Sequence, residues 1–208
     1  MTPNTPEAAA APPLLLIGLT GPAGSGKDTA ADHLETQHHF ARWAFAEPMR
    51  TMLEALLVEC GLDYAHLFEP ALKERPIPGL GFSYRQLAQT LGTEWARTQL
   101  AEDFWLRCAG LCTGLASADP AEQQPIHDRI VFTDVRFPNE AAWLRDRGGV
   151  IVRVERPGVA PVRAHVSEQH AIEPNFIVWN SGGLEQLQQQ LDSVLMLVAG
   201  EDTAEVAA

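Results

Sequence analysis

The sequence predicts a three-layer α/β fold, with a parallel β-sheet flanked by helices on both faces. Three observations predict it. Short apolar runs alternate along the chain with stretches of helical periodicity, the pattern of a covered parallel sheet. A glycine-rich segment, Gly21-Pro22-Ala23-Gly24-Ser25-Gly26-Lys27, joins the first apolar run to the first helix. At 208 residues the chain accommodates one sizeable α/β domain and is short for two.

Residues 1–13 are rich in Pro, Thr and Ala and lack the basic start of a signal or transit peptide, so they read as a disordered leader. One domain is expected over residues 14–199. Leu14–Leu19 is a short buried strand, Lys27 to about His38 the helix after it, and Ala41–Phe45 a further short strand. Met49, Met52, Leu53, Leu56, Leu57 and Cys60 follow i, i+3, i+4, i+7 spacing, which predicts a helix over Pro48–Cys60 with Pro48 in its first turn and Gly61 at its stop. Leu62–Phe82 is broken by prolines and glycines and reads as mostly irregular. Ser83-x-x-Gln86 is a capping box opening a helix through Leu91. A largely apolar helix follows from Asp103 to about Leu115. Arg129–Thr133 is a buried strand ending at Asp134, and Asn139–Arg147 a helix closed by Gly148-Gly149. Val150–Val154 and Phe176–Trp179 are strands, Leu184–Val198 is a final amphipathic helix, and residues 200–208 are a flexible acidic tail.

Ligands in such sheets gather at the carboxyl ends of the strands, where both Gly21–Lys27 and Asp134 fall. The Gly21–Lys27 segment matches G-x-x-x-x-G-K between a strand and a helix, which is the setting of a true P-loop and specifies the sheet as a P-loop NTPase fold. Its backbone N–H groups (Gly21, Ala23, Gly24, Ser25, Gly26) are expected to converge on the phosphates of ATP at a helix N-terminus, with Lys27 reaching the β- and γ-phosphates. The general pattern places Ser or Thr after the lysine to touch Mg²⁺. Here Asp28 stands there and Thr29 follows, so either one is a metal ligand candidate. Asp134 is the second acidic element, holding the metal or its water shell. Arg136, two residues on, faces the same crevice, for a phosphate or for a structural ion pair.

A second, acceptor-binding region is expected over about residues 46–107. Glu47 and Arg50 lie at a helix start. Tyr84, Arg85, Gln89, Thr93, Glu94 and Arg97 bring polar groups near Trp95 and Trp105, a set suited to a nucleobase and its phosphate. Arg153, Arg156 and Arg163 surround a Pro/Gly-interrupted stretch, within a lid candidate over about residues 156–168, with an ordinary surface loop as the alternative. His165 reads as positional, and His38 and His39 as helix-end surface residues. Asn180, between the last strand and helix, is assigned either to the ATP base or to turn chemistry.

Composition limits the partners. The net charge of −12 disfavours a polyanion, so no nucleic-acid partner is expected. The cations are thirteen Arg and two Lys, Lys27 and Lys73; the arginine excess suits either phosphate recognition or codon bias, so only placement promotes an individual arginine. Cys60, Cys108 and Cys112 form no zinc pattern, and Cys108 and Cys112 read as buried thiols on an apolar helix. No apolar run is long enough for a membrane span, so a soluble, cytoplasmic protein is expected.

With these residues assembled, the chain resembles the phage-type deoxynucleoside monophosphate kinases. The resemblance rests on LIGLTGPAGSGKDTAADHL, FAEPMR, YRQLAQTLGTEWAR with the following DFW, TDVRFPNEA, HVSE and WNSGGLEQL, in order over most of Leu14 to Leu191. The Gly-Lys-Asp-Thr run is itself similar to that family's cradle. The resemblance implies transfer of the γ-phosphate of ATP to a deoxynucleoside monophosphate with Mg²⁺ and, since dimers are known in that family, a homodimer. Lys27 and the cradle would bind ATP, and Arg50, Arg85, Arg97 and Arg136 are acceptor candidates. A phage origin would place the protein in the host cytoplasm. The alternatives are a kinase of another small acceptor resembling dephospho-coenzyme-A kinase, a kinase acting on modified bases in polynucleotides, and a non-catalytic nucleotide-binding module.

Overall fold

A computed structural model describes residues 13–158 and 172–204. The expectations for the leader, for Arg163, His165 and most of the lid stretch, and for the last four residues lie outside the described residues. Five strands, β1 (Leu15–Thr20), β2 (Ala41–Trp43), β3 (Arg129–Phe132), β4 (Val150–Glu155) and β5 (Phe176–Trp179), form one sheet in the order β2-β3-β1-β4-β5. Every pairing is parallel, with Gly18 opposite both Phe132 and Ile151. The three-layer α/β expectation is met.

The central strand explains the continuous apolar run that marks it. Leu15, Ile17 and Leu19 point to one face, where they pack with Ala30, Ala31 and Leu34 of helix α1 (Lys27–His38) and Leu187, Leu191, Val194 and Leu195 of helix α7 (Leu184–Ala204). Leu16 points to the other face, into a core with Phe45, Ile130, Phe132, Trp143 and Leu144. Helices α5 (Phe104–Thr113) and α6 (Pro138–Arg145) cover that face. Gly18 lies on it too: an added Cβ would meet Leu144 Cδ1 at 2.5 Å, so the helix seats directly on the strand. Each large side chain so enclosed contributes about 1.5–3 kcal/mol.

Helix α2 (Glu47–Glu59), the short α3 (Ala65–Phe68) and α4 (Tyr84–Gln89) build a smaller lobe beside the sheet. Its apolar centre is Leu53, Leu57, Leu67 and Ile77, continued by Met49, Ala96 and Trp105. The predicted capping box is present in full: Gln86 N donates to Ser83 Oγ, and Ser83 N donates to Gln86 Oε1.

Several boundaries differ from expectation. The helix opened by Ser83 does not stop at Leu91 but continues as a π-helical stretch over Thr90–Leu100. Its wider turn is visible in the bond from Ala101 N to Ala96 O. The four-residue α3 lies within the mostly irregular Leu62–Phe82, and α7 runs past Val198 to Ala204. The thiols are corrected as well: Cys112 and Cys60 are exposed and Cys108 is half-buried, because Cys112 lies on the outer side of α5. Among the described residues no helix is long and apolar enough to cross a membrane.

Candidate active site

The cradle leaves β1 at Gly21 and enters α1 at Lys27. Gly21 (φ 130°), Gly24 (φ 77°) and Gly26 (φ 109°) all take conformations that L side chains rarely adopt, which curls the backbone into a loop. Gly21 and Gly26 are also sterically required, since a Cβ would lie 2.3 Å from Val154 O and 2.4 Å from Asn180 Nδ2, respectively. No side chain caps the first turn of α1, so its N–H groups are left for an anion, at the positive end of the helix dipole. Lys27 Nζ lies over the loop and donates to the carbonyls of Gly21 and Pro22, each at 2.8 Å. Asn180 donates from Nδ2 to Ser25 O at 2.9 Å and from its backbone N to Glu155 O at 2.7 Å. Through these bonds Asn180 braces the cradle, a contact that neither of its sequence readings included. Asp28 is 88% exposed and pairs with Arg42 at 2.6 Å, while Thr29 is exposed beside it.

Asp134 follows β3, the neighbour of β1, and Val135 N donates to Leu19 O, holding this strand end against the root of the cradle. Both oxygens of the carboxylate are engaged by backbone amides. Its Oδ1 accepts from Phe45 N at 2.8 Å and its Oδ2 from Ala46 N at 3.0 Å, which fixes the turn leading into α2. Burial pushes the Asp134 carboxyl above its ordinary value, against the opposing pull of Arg136 and the two amides.

Between the sheet edge and the smaller lobe lies a cavity of about 270 Å³. Asp134, Arg136, Phe137 and Glu140 line it from the sheet side, and Lys73, Tyr84, Arg85, Gln89, Thr93 and Trp105 are among those lining the lobe side. Trp105 is fixed by a 2.8 Å bond from Nε1 to Gly92 O, within the π-helical stretch. The cavity is cationic. Burial first, and then the charges of Arg50 and Arg85, hold Lys73 below its usual range, while Asp28 of the cradle pulls the other way.

Glu140, in the first turn of α6, carries the cavity floor. It is 2% exposed, and its Oε2 accepts from Arg136 N at 2.7 Å and Phe137 N at 3.0 Å. Its Oε1 accepts from Arg97 Nη2 at 2.5 Å, and the Arg97 guanidinium lies 4.0 Å over the Phe137 ring. Burial, then the nearby Asp134 carboxylate, raises the Glu140 carboxyl to about 7 despite these donors.

A family model described as deoxynucleotide monophosphate kinase matches residues 78–191, the part of the chain that supplies most of this cavity. A protein of Acanthamoeba polyphaga mimivirus named "Putative deoxynucleotide monophosphate kinase" is 32% identical over 187 residues, covering 86% of this chain and 95% of the relative. The chain belongs to the deoxynucleotide monophosphate kinase family.

In this family member Arg85, Gln89, Arg97, Trp105 and Arg136, all acceptor candidates from the sequence, line one cavity together with Asp134, the metal candidate. Glu47 and Arg50 are not among its walls; they pair with each other across one turn of α2. Arg97 lines the cavity with its guanidinium committed to Glu140, so its part is to hold the floor rather than to present a free fork. Arg153 pairs with Glu155 at 2.5 Å, and Arg156 is exposed just before the undescribed stretch. Sequence reasoning passed over Glu140 and Lys73. Glu140 carries only a faint signal, an acid three residues after Phe137 at a helix start, and Lys73 carries none.

Proposed function

We propose that this chain transfers the γ-phosphoryl group of ATP to a deoxynucleoside monophosphate. The observation that carries this reading is the cation-lined cavity set at the end of β3, directly beside the strand that ends in the cradle. A cradle alone fits any triphosphate enzyme; an adjoining pocket with Arg85, Arg136 and Lys73 fits an acceptor that itself bears a phosphate. Tyr84, Trp105 and Gln89 suit the base and sugar, by apolar surface and directed hydrogen bonds.

In the reaction an acceptor phosphate oxygen bonds to the γ-phosphorus as the bond to the β,γ-bridging oxygen breaks, leaving ADP and the deoxynucleoside diphosphate. The cradle amides and Lys27 hold the donor phosphates, and Arg136 neutralises charge on the acceptor side. The donors present fit Mg²⁺: the exposed Asp28 carboxylate and Thr29 hydroxyl are hard oxygens at the first turn of α1. Asp134, whose oxygens already accept two amides, would reach such an ion through water. The ion, when bound, offsets charge on the β- and γ-phosphates.

Purified protein with MgATP and each deoxynucleoside monophosphate in turn, followed by ADP release, tests the reading. ADP formation with at least one of them is expected. Turnover with dephospho-coenzyme A and with none of the deoxynucleotides would sink it.

A further inference from the structure

Away from the cavity, the far end of α1 meets the middle of α7. His33 and His38 both turn Nε2 toward one atom, Asp192 Oδ1, and each lies 2.7 Å from it. Their rings meet edge to face, with centroids 5.1 Å apart. One donor atom from each residue lies within 4.8 Å of the other two. His33 is 7% exposed, His38 27% and Asp192 38%, so the group is rooted in the core and open to water on one side. His38 is therefore not the plain surface residue that its place at a helix end suggests.

The framework behind these donors is rigid. Ala30, Ala31 and Leu34 on α1 and Leu187, Leu191 and Leu195 on α7 share one buried cluster, so the histidines and the aspartate project from packed helices. His33 Nδ1 is buried without a hydrogen-bond partner among the described residues. Coordination through Nε2 puts the ring proton on this Nδ1, where no acceptor among the described residues supports it, a cost the metal bonds must offset.

The geometry points to a divalent transition-metal site of the zinc class, built from His33 Nε2, His38 Nε2 and the Asp192 carboxylate, with water as the fourth ligand. Two imidazoles and one carboxylate suit Zn²⁺, whereas Mg²⁺ and Ca²⁺ take oxygen sets. Bonds of about 2.0–2.1 Å in a tetrahedron separate ligand atoms by roughly 3.3 Å. Each imidazole would need to retreat about half an ångström from Asp192, within the reach of side-chain torsions. The ion would join α1, which starts at the cradle's Lys27, to α7, which follows the cradle's brace at Asn180.

Untagged, EDTA-treated full-length protein without nucleotide is titrated with Zn²⁺ by calorimetry and with Co²⁺ by visible absorption. One equivalent is expected, with tetrahedral Co²⁺ bands and no thiolate charge-transfer band, which separates the site from Cys108 and Cys112 on α5. His38→Gln and Asp192→Asn replace partly exposed groups, so both are expected to fold, which metal-free circular dichroism checks. Each should weaken Zn²⁺ binding by about ten-fold or more and lose the Zn²⁺-dependent rise in melting temperature. The absence of a bound equivalent in the parent protein, or parental affinity in both variants, would overturn the site.

Discussion

Arg97 Nη2 lies 2.5 Å from Glu140 Oε1 with the two side chains 12% and 3% exposed, so a nearly dry ion pair pins the π-helical stretch to the first turn of α6. Such a pair is asymmetric in its consequences. Removing the cation alone, at a pH above the Glu140 value where the carboxyl is ionised, strands a buried carboxylate, which costs about 3–5 kcal/mol. Arg97→Met is accordingly expected to lower the urea midpoint strongly, and Arg97→Met with Glu140→Gln to recover a large part of it. The recovery follows because the side-chain amide oxygen introduced by Glu140→Gln still accepts from the Arg136 and Phe137 amides. Equal midpoints for the single and double variants would show that the pair does not carry this contact.

The same carboxyl gives stability a pH dependence. Glu140 titrates near 7 in the folded chain, against 4.5 for an unperturbed glutamate, so between those values the native state binds more protons than the unfolded one. Its stabilisation is complete below the unfolded value and is lost as pH rises through the folded one, on the order of 3 kcal/mol over the whole window. Glu140→Gln cannot titrate and is expected to show a shallower loss of stability from about pH 4.5 to 7. Asp134, raised in the same direction by burial, keeps part of the slope in the variant. Identical slopes in denaturation series for the two proteins would refute the assignment.

The cradle depends on a residue more than 150 positions away. Asn180 Nδ2 donates to Ser25 O, and a Cβ on Gly26 would lie 2.4 Å from the same Nδ2. Asn180→Ala removes one hydrogen bond, worth about 1 kcal/mol, and is expected to raise the KM for ATP several-fold. Gly26→Ala should be far worse, because φ 109° strains any Cβ in addition to the clash. Combining the two relieves the clash and leaves the strain, so the double variant should bind ATP better than Gly26→Ala and worse than Asn180→Ala.

These contacts also show what a sequence can display. The cradle, the β1 core run and the Ser83–Gln86 capping box were legible because each is written within a few adjacent residues. The extension beyond Leu91 was not. Its contacts include the bond from Trp105 Nε1 to the Gly92 carbonyl, made across the lobe and not written in adjacent residues. Glu140 looks like an ordinary polar residue at a helix start, and only Arg97, 43 residues earlier, makes its burial tolerable. Asp134 was found by position but with a different first task, since the amides of Phe45 and Ala46 are invisible as its partners until the chain returns to β3.

Arg85 and Arg136 line the cavity from opposite sides, Arg85 on the lobe and Arg136 beyond the sheet edge. If they hold the acceptor phosphate, Arg85→Gln and Arg136→Gln should each raise the KM for the deoxynucleotide by about ten-fold or more, as charged hydrogen bonds worth about 1.5–3 kcal/mol are lost. The KM for ATP should hardly move for Arg85→Gln. A matching rise for both substrates would place that arginine on the donor side instead.

Lys27 separates an enzyme from a nucleotide-binding module. Its ammonium reaches the Gly21 and Pro22 carbonyls from a half-buried position, so its packing contribution is small. Lys27→Ala loses both ammonium-to-carbonyl bonds and is expected to lower stability by about 1.5–3 kcal/mol, well short of unfolding the chain. In phosphoryl transfer the same charge stabilises the migrating γ-phosphoryl group, and losing one such donor costs about 10²–10³-fold in kcat. The two effects are read independently, by thermal melting and by ADP release at saturating acceptor. Parental turnover in a folded Lys27→Ala protein would remove the cradle from the chemistry. A collapsed melting temperature would instead assign the lysine to holding the loop.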